Sequence, residues 1–273
     1  MHADHFIDQL RVLAALKNNP ATDRTLAAFK SIAREDFAGK GPWKLRSALS
    51  DVTLPPRLTP DAEPKWLYHS VLIVLDEEKG INIGDPSLWV GLLARADVQP
   101  GARVLQVGAG VGYYTAILSE LVGPTGHIVA YEVEEALAER AAQNLAAYEN
   151  VEVRRGNAAT ELSDLDQIDL VISFAGVTHI PPLWTARLAP DARLLLPLTG
   201  EDWWGAMILA QQINEGFSAV TLGRCGFYPC AGARRDDLAA QVSALFAEPD
   251  HLRDWHLRII GRDDDIRVEA TAA

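Results

Sequence analysis

The stretch RVLQVGAGVGYYTAIL, residues 103–118, decides the fold, because it predicts a buried β-strand that runs through glycines directly into a helix. The run RVLQV is typical of an inner strand of a parallel sheet, and the apolar residues of YYTAIL recur at helical spacing. Gly108, Gly110 and Gly112 remove the Cβ atoms from the turn, so a ligand can approach the backbone closely at a helix N-terminus. We interpret the stretch as a nucleotide-cofactor loop, the alternative being a tight strand-to-helix connection that binds nothing.

The glycine spacing favours one class of cofactor. A dinucleotide fingerprint, G-x-G-x-x-G, would place its third glycine at position 113, which is Tyr113. The third glycine lies at 112 instead, giving G-x-G-x-G, a pattern typical of Rossmann-like S-adenosylmethionine-dependent methyltransferases. The residues predicted to bind the cofactor through this loop are Gly108, Ala109, Gly110, Gly112 and Tyr113.

An acidic residue follows on the next strand. The segment HIVAYEV, residues 127–133, predicts a second short strand with Glu132 at its tip. A carboxylate roughly 20 residues beyond the glycines is placed to accept hydrogen bonds from the ribose hydroxyls of a nucleoside. The alternative is a carboxylate that favours the start of the next helix, a role that Glu134 and Glu135 also fill.

Strands and helices then alternate. We expect a helix over residues 134–148 and strands over 151–156, 168–176 and 193–198. This alternation predicts an α/β fold, a Rossmann-like doubly wound and mostly parallel sheet, with a helical N-terminal extension and a C-terminal extension.

Further ligand-binding residues are expected where these strands end. Ligands of parallel sheets lie beyond the carboxyl ends of the strands, so Asn157, Ala158, Ala175 and Gly176 should meet the glycine loop in one crevice. The Asn157 amide can both donate to and accept from an adenine edge. Alternatively, Asn157 is a turn residue that tolerates a left-handed backbone.

Three segments carry a resemblance to a known family. They are IAREDFAG (residues 32–39), the gap-free run from GINIGDPSLWVG through the glycine loop (80–118), and FAGVTHIPPLWTARLAPDARLLLPLTG (174–200). In order and spacing they resemble the protein-L-isoaspartate O-methyltransferase family over residues 22–198. The resemblance implies S-adenosyl-L-methionine as cofactor and a carboxylate of a protein or peptide as methyl acceptor.

Four positions depart from that family, and two of them belong to the acceptor segment. Gly84 stands where the family has a serine at this site, and Asn82 stands where it has a threonine. Gln106 replaces a usually acidic residue, so it can hydrogen-bond the amino-acid end of the cofactor without attracting its ammonium by charge. Asn157 replaces a common aspartate. The resemblance makes Asn82 and Gly84 candidate acceptor-site residues and Gln106 a cofactor ligand.

One histidine is a candidate catalytic base. A carboxylate acceptor is ionised at neutral pH and needs no base, whereas a hydroxyl or amine acceptor would make His179 matter, on the loop after the fourth strand. Alternatively, His179 is a loop imidazole bonded to the backbone beside Ile180 and Pro181. Three functions remain: a methyltransferase of protein or peptide carboxylates, a small-molecule methyltransferase, and a noncatalytic adenosyl-ligand-binding protein.

Composition narrows the range of functions and of cellular locations. A net charge of −12 and a pI near 5.0 disfavour nucleic-acid binding, which requires a basic face. We see no membrane span, no signal peptide and no metal-ligand cluster, and we expect a cytoplasmic protein with Cys225 and Cys230 reduced.

We divide the chain into a helical N-terminal segment and linker (1–62), an S-adenosylmethionine-binding methyltransferase domain (63–230) and a C-terminal extension (231–273). Helices are expected between residues 4 and 32, with Thr22 capping a restart after Pro20. The other expectations are a linker or wrapped loop over 41–61, a strand over 71–75 where the chain enters the sheet domain, a hairpin at the sheet edge over 205–230, a helix over 235–246 and a frayed tail over 261–273.

Overall fold

The computed structural model describes residues 2–47, 54–162, 165, 167–214, 216–247, 253–260 and 267–271. The helices of this part are α1 (His2–Leu13), α2 (Pro20–Ser31), α3 (Glu35–Ala38), α4 (Pro86–Ala96), α5 (Tyr113–Val122), α6 (Glu135–Asn144), α7 (Pro182–Thr185) and α8 (Asp236–Leu245), with a 3-10 turn at Pro64–Leu67. The strands are β1 (Lys44–Arg46), β2 (Arg57–Leu58), β3 (Leu72–Asp76), β4 (Ile81–Ile83), β5 (Arg103–Val107), β6 (His127–Glu132), β7 (Val151–Arg155), β8 (Ile168–Ser173), β9 (Leu188–Thr199), β10 (Trp204–Ile213), β11 (Gly216–Gly226), β12 (Arg253–Ile260) and β13 (Arg267–Thr271).

A nine-stranded sheet forms the centre of the molecule, in the order β13-β12-β11-β10-β9-β8-β5-β6-β7. The run β7-β6-β5-β8-β9 is parallel. The chain winds from β5 to β6 and β7 on one side and then to β8 and β9 on the other, so β5 and β8 flank the topological switch point where such sheets bind ligands. The predicted Rossmann-like α/β fold is confirmed.

The other end of this sheet is antiparallel. The predicted hairpin is present as β10 and β11, but it does not lie at the sheet edge, because β12 pairs with β11 and β13 pairs with β12. The predicted frayed tail is wrong over Arg267–Thr271, which forms β13, while residues 261–266 and 272–273 lie outside the described residues. Backbone pairing to an open strand edge orders this segment.

A second, smaller antiparallel sheet has the order β2-β1-β3-β4. The strand expected over residues 71–75 is confirmed as β3, which pairs with β1 and β4 of this small sheet. The segment expected as a linker supplies β1 and β2, and its residues 48–53 lie outside the described residues. This small sheet positions β4 and the loop after it next to the start of α4.

The N-terminal helices pack on the same core as the parallel strands. Phe6, Leu10, Leu26 and Phe29 are buried together with residues of α4 and α5. The helix restart at Pro20 is confirmed, but its cap is Asn19, whose Oδ1 accepts from the Thr22 N–H at 2.9 Å. Proline fixes the first helical position, so the cap is the residue before it.

Arg34 connects the layer of N-terminal helices to the small sheet. The side chain is 1% exposed, and its guanidinium donates to the carbonyls of Leu67, His69 and Val71. The same guanidinium lies 5.5 Å from the ring centroid of Tyr113, the first residue of α5. The N-terminal layer and the glycine loop are therefore held in one arrangement.

None of the helices formed by the described residues is long and apolar enough to cross a membrane. Cys225 and Cys230 are both buried and unpaired.

Candidate active site

A cavity of about 1870 Å³ opens at the carboxyl ends of the parallel strands. This exceeds the roughly 300–1,000 Å³ of a pocket for one drug-sized ligand, so the cavity has room for two ligands. The sequence-predicted residues that line it are Asn82, Gly84, Gly108, Ala109, Gly110, Tyr113, Glu132, Asn157, Ala158 and Ala175. Gln106, Gly112, Gly176 and His179 are not in its lining.

The glycine loop forms one wall of the cavity. Gly108 and Gly110 have φ values of +84° and +57°, which favour glycine. A Cβ at Gly110 would meet no atom within 4 Å, so any side chain there would project into the cavity. The N–H groups of Gly108 and Ala109 donate to the Tyr131 carbonyl at 2.9 and 3.0 Å. The loop is thereby fixed to the end of β6.

Glu132 completes this wall from the tip of β6. Its Oε2 accepts from the Gly110 N–H at 2.7 Å and its Oε1 from the Glu134 N–H at 3.0 Å. Burial raises the pKa of this carboxyl, and the backbone N–H donors partly oppose the shift. A carboxylate offers about four acceptor positions, so Glu132 keeps acceptor capacity for a ribose hydroxyl. The anion at the glycine loop is thus the protein's own carboxylate, which leaves little place for the phosphate that a dinucleotide would bring.

Two predicted cofactor residues lie behind this wall. A Cβ at Gly112 would stand 2.7 Å from Leu145 Cδ1, so this glycine allows α5 to pack against the end of α6. Gln106 is fully buried in β5; its Nε2 lies 3.4 Å from the Gly108 carbonyl, and its Oε1 has no hydrogen-bond partner among the described residues. Gly112 and Gln106 therefore support the loop from beneath it.

A second wall follows β7 and β8. Asn157 Oδ1 accepts from the Ala159 N–H at 2.9 Å, which is the turn role considered for this residue. Its Nδ2 would be 2.8 Å from a Cβ at Gly232, so the segment after β11 folds closely over it. Asn157 is therefore enclosed between the turn after β7 and this later segment.

The opposite wall carries the acceptor-site candidates. Asn82 Nδ2 donates to the Gly80 carbonyl at 3.0 Å, and the Gly84 carbonyl accepts from the Tyr114 hydroxyl at 2.8 Å. Asp85 caps α4 by accepting from the Ser87 N–H at 2.8 Å. These bonds place Gly84 between the end of β4 and the first turn of α4, facing the cavity.

An aromatic cluster that the sequence does not single out fills the space between these walls. Trp89 stacks on Phe174 with ring centroids 3.8 Å apart, and Tyr114 stacks on Phe174 at 5.2 Å. A Cβ at Gly108 would touch the Phe174 side chain at 3.4 Å, so the cluster reaches the glycine loop. Trp89 comes from α4, Tyr114 from α5 and Phe174 from the end of β8, and only the tertiary fold brings them together.

The segment after residue 200 supplies further lining side chains, of which sequence reasoning did not assign Tyr228. Trp203 and Trp204 line the cavity at its outer end and are 52% and 46% exposed. Tyr228 lines it near Glu132; burial, and then the Glu132 charge, raise the pKa of its phenol to about 12. Trp203 and Trp204 stand out in the sequence of this segment, but the resemblance to the family fades after Gly200.

His179 lies outside the cavity lining. Its Nδ1 is 3.2 Å from the Thr178 hydroxyl. Burial, and then the positive charge of Arg235, lower the pKa of the imidazole, so the ring is neutral near pH 7. The contact is to a side-chain hydroxyl rather than to the backbone, and it lies away from the cavity.

Comparison with known proteins agrees with this architecture. Residues 64–234 match the family model of protein-L-isoaspartate(D-aspartate) O-methyltransferase. A protein-L-isoaspartate O-methyltransferase of Nitrobacter winogradskyi is 32% identical over 208 residues, covering 76% of this chain and 84% of the relative. One of Methanothermobacter thermautotrophicus is 26% identical over 176 residues, covering 63% and 80%.

Solved structures show the same fold. A protein-L-isoaspartate O-methyltransferase superposes with a TM-score of 0.68 at 18% identity, covering 99% of this chain and 88% of that one. A Plasmodium falciparum protein assigned to the same activity, in complex with S-adenosyl-L-homocysteine, gives a TM-score of 0.61 at 15% identity, covering 85% and 98%. With its family model matched over more than half of its length, the chain belongs to the protein-L-isoaspartate O-methyltransferase family of S-adenosylmethionine-dependent methyltransferases.

Proposed function

We propose that this protein transfers a methyl group from S-adenosyl-L-methionine to a carboxylate of a protein or peptide, with L-isoaspartyl residues as the acceptors. The observation that carries the proposal is the shared cavity in which the loop from Asn82 to Gly84 faces the glycine loop and Glu132. A donor site and an acceptor site must share one space for direct transfer. Family membership supplies the reaction type.

The residues present fit S-adenosylmethionine. Glu132 offers free acceptor positions to a ribose, and Gly110 opens to the cavity without a Cβ. Asn157 and Ala158 line the side where an adenine would lie. When bound, this cofactor supplies a sulfonium-activated methyl group, so the protein need not activate the donor.

The chain's own contribution is alignment and exclusion of water. A carboxylate acceptor is ionised at neutral pH and can attack without losing a proton. The aromatic cluster of Trp89, Tyr114 and Phe174 presents an apolar boundary beside the acceptor loop, and a dry boundary strengthens electrostatic interactions at the reacting atoms. His179 lies outside the cavity lining, which fits a reaction that needs no base.

The setting we propose is the cytoplasm. Cys225 and Cys230 are unpaired and buried, and burial raises the pKa of both thiols, that of Cys230 to about 12. Thiols in this state suit a reducing compartment. With a net charge of −12, we expect protein or peptide acceptors rather than nucleic acid.

The test uses labelled methyl donor with an isoaspartyl peptide and its normal aspartyl twin. We expect label in the isoaspartyl peptide only, in a product that loses its label in alkali because it is a methyl ester. Equal labelling of both peptides, or an alkali-stable product, would contradict the proposal and favour another acceptor class. Donor-analogue binding without turnover on any carboxylate would favour the noncatalytic function.

A further inference from the structure

Position 84 has no room for a side chain, because Trp89 occupies that space. A Cβ built on Gly84 would stand 2.7 Å from Nε1 and 3.1 Å from Cδ1 of Trp89. Real Cβ contacts are essentially never as short as the first of these, and the indole is not a flexible end that can swing away, since it is stacked on Phe174 at 3.8 Å. Gly84 and Trp89 are therefore a coupled pair.

The indole N–H of Trp89 differs from those of other buried tryptophans in the protein. Trp89 is 1% exposed and lines the cavity, yet its Nε1 donates no hydrogen bond to any described residue. By contrast, the indole N–H groups of Trp43 and Trp184 donate to the carbonyls of Gly39 and Ala158, both at 2.9 Å. The nitrogen atom itself is accessible at the cavity wall, so a ligand oxygen can reach its N–H.

We propose that the Trp89 indole N–H is the hydrogen-bond donor that recognises the acceptor, binding the carboxylate or adjacent carbonyl oxygen of the isoaspartyl substrate. This rests on the proposed function. The indole nitrogen only donates, so it fits an oxygen acceptor and not an ammonium. It lies in the space that the side chain of a residue at position 84 would enter, so this donor replaces the serine hydroxyl that the family resemblance places there.

The position of Trp89 next to the cluster supports a role in the acceptor site. Gly84 and Phe174 flank the indole on two sides, and Phe174 in turn contacts the Gly108 end of the donor loop. A substrate oxygen bound at Nε1 would therefore lie between the acceptor loop and the methyl donor. Trp89 is then a specificity-determining residue that takes part in no proton transfer.

The test is Trp89→Phe, which removes the N–H and keeps an aromatic ring on Phe174. We expect kcat/KM for the isoaspartyl peptide to fall by about 10- to 150-fold, mainly through KM, the scale of a hydrogen bond to a charged group. Affinity for S-adenosylhomocysteine should stay unchanged. Trp43→Phe is the matched control, because it removes a buried indole N–H outside the cavity lining and should leave KM unaltered.

A second pair of variants tests the coupling even if Trp89→Phe folds poorly. Gly84→Ser alone should lose stability and activity, because its Cβ collides with the indole. Gly84→Ser combined with Trp89→Val restores a donor and makes room for it, so kcat/KM should exceed that of Trp89→Val alone. Measuring the melting temperature of each variant separates this gain from a gain in folding.

The outcomes are distinct. If the wild-type protein does not methylate the isoaspartyl peptide, the proposed function fails, and this inference fails with it. If the wild type is active and Trp89→Phe retains its kcat/KM, the inference alone is overturned. A parallel loss of S-adenosylhomocysteine affinity in Trp89→Phe would also overturn it, because the indole would then shape the donor site.

Discussion

The donor wall and the acceptor wall of the cavity are built in different ways. On the donor wall, backbone groups and one buried carboxylate satisfy each other, as in the bond from the Gly110 N–H to Glu132. On the acceptor wall, side chains from several elements meet, and the Trp89 indole packs against them with its N–H at the cavity. The donor wall brings backbone close to the ligand, so it tolerates almost no added side chain. The acceptor wall consists of side chains, so substitutions there can change its shape gradually. Substitutions should therefore abolish function on the first wall and adjust it on the second.

The largest effect is expected at Gly110. Gly110→Val places a branched side chain in the open space of the donor site and should abolish S-adenosylhomocysteine binding in calorimetry. Gly123→Val is the matched control: Gly123 also has a positive φ, +65°, and a Cβ added there would meet no atom within 4 Å, but it lies outside the cavity lining. Both variants place a branched residue at a positive φ, so both carry backbone strain. Unchanged affinity in Gly110→Val would remove the donor assignment from this wall.

A smaller effect is expected at Glu132. Glu132→Gln should weaken S-adenosylhomocysteine binding by about 1.5–3 kcal/mol, because it replaces an ionised acceptor of the ribose hydroxyls with a neutral amide. Glu132→Ala should in addition lose stability, since the Gly110 N–H loses its partner. If neither variant changes the affinity, Glu132 serves only to hold the loop.

The pH dependence of binding sharpens this test. Burial raises the pKa of Glu132 above the ordinary value of a glutamate, so acidification protonates it earlier than an exposed glutamate. Binding to the ionised form should weaken as pH falls through the raised pKa. The unliganded protein should behave oppositely and lose this group's contribution to stability as pH rises through the same window. In Glu132→Gln, neither the pH dependence of binding nor that of stability should appear over this range.

On the acceptor wall, a graded effect is expected at Trp203. Trp203 is 52% exposed and holds a φ of +67° at the outer end of the cavity. Trp203→Ala should raise the KM for a peptide acceptor by about 5-fold, the scale of a typical interface anchor, with kcat unchanged. Ile213→Ala, which removes an exposed apolar side chain at the far end of the same hairpin, is the control. Equal KM values in both variants would exclude Trp203 from acceptor binding.

The smallest effect is expected at His179. If the acceptor is a carboxylate, His179→Gln should change kcat by less than about 3-fold and introduce no new pH dependence, because no proton has to be removed. With a hydroxyl or amine acceptor, the loss would be on the order of 100-fold. A large loss together with an ester product would contradict the proposed mechanism.

The difference between the walls also explains which residues could be predicted. The glycine loop, Glu132 and Asn157 each lie at the end of a strand whose apolar pattern is visible in the chain, so their convergence follows from the parallel topology. Nothing local marks Trp89, because its pattern is that of any buried helix residue. Gln106 and Gly112 have the right spacing but support the loop from behind. A strand residue such as Gln106 can face either side, and Gly112 at the start of α5 lies against Leu145.

The sequence by itself determined the parallel sheet, the glycine loop with Glu132, and membership of a methyltransferase family, because these depend on residues close together in the chain. The tertiary structure decided the partners of β3 and β4, the strand at the C-terminal tail and the pairing of Gly84 with Trp89. These depend on which distant surfaces pack against each other, and packing is set by the shapes of side chains from separate elements rather than by the period of any one segment.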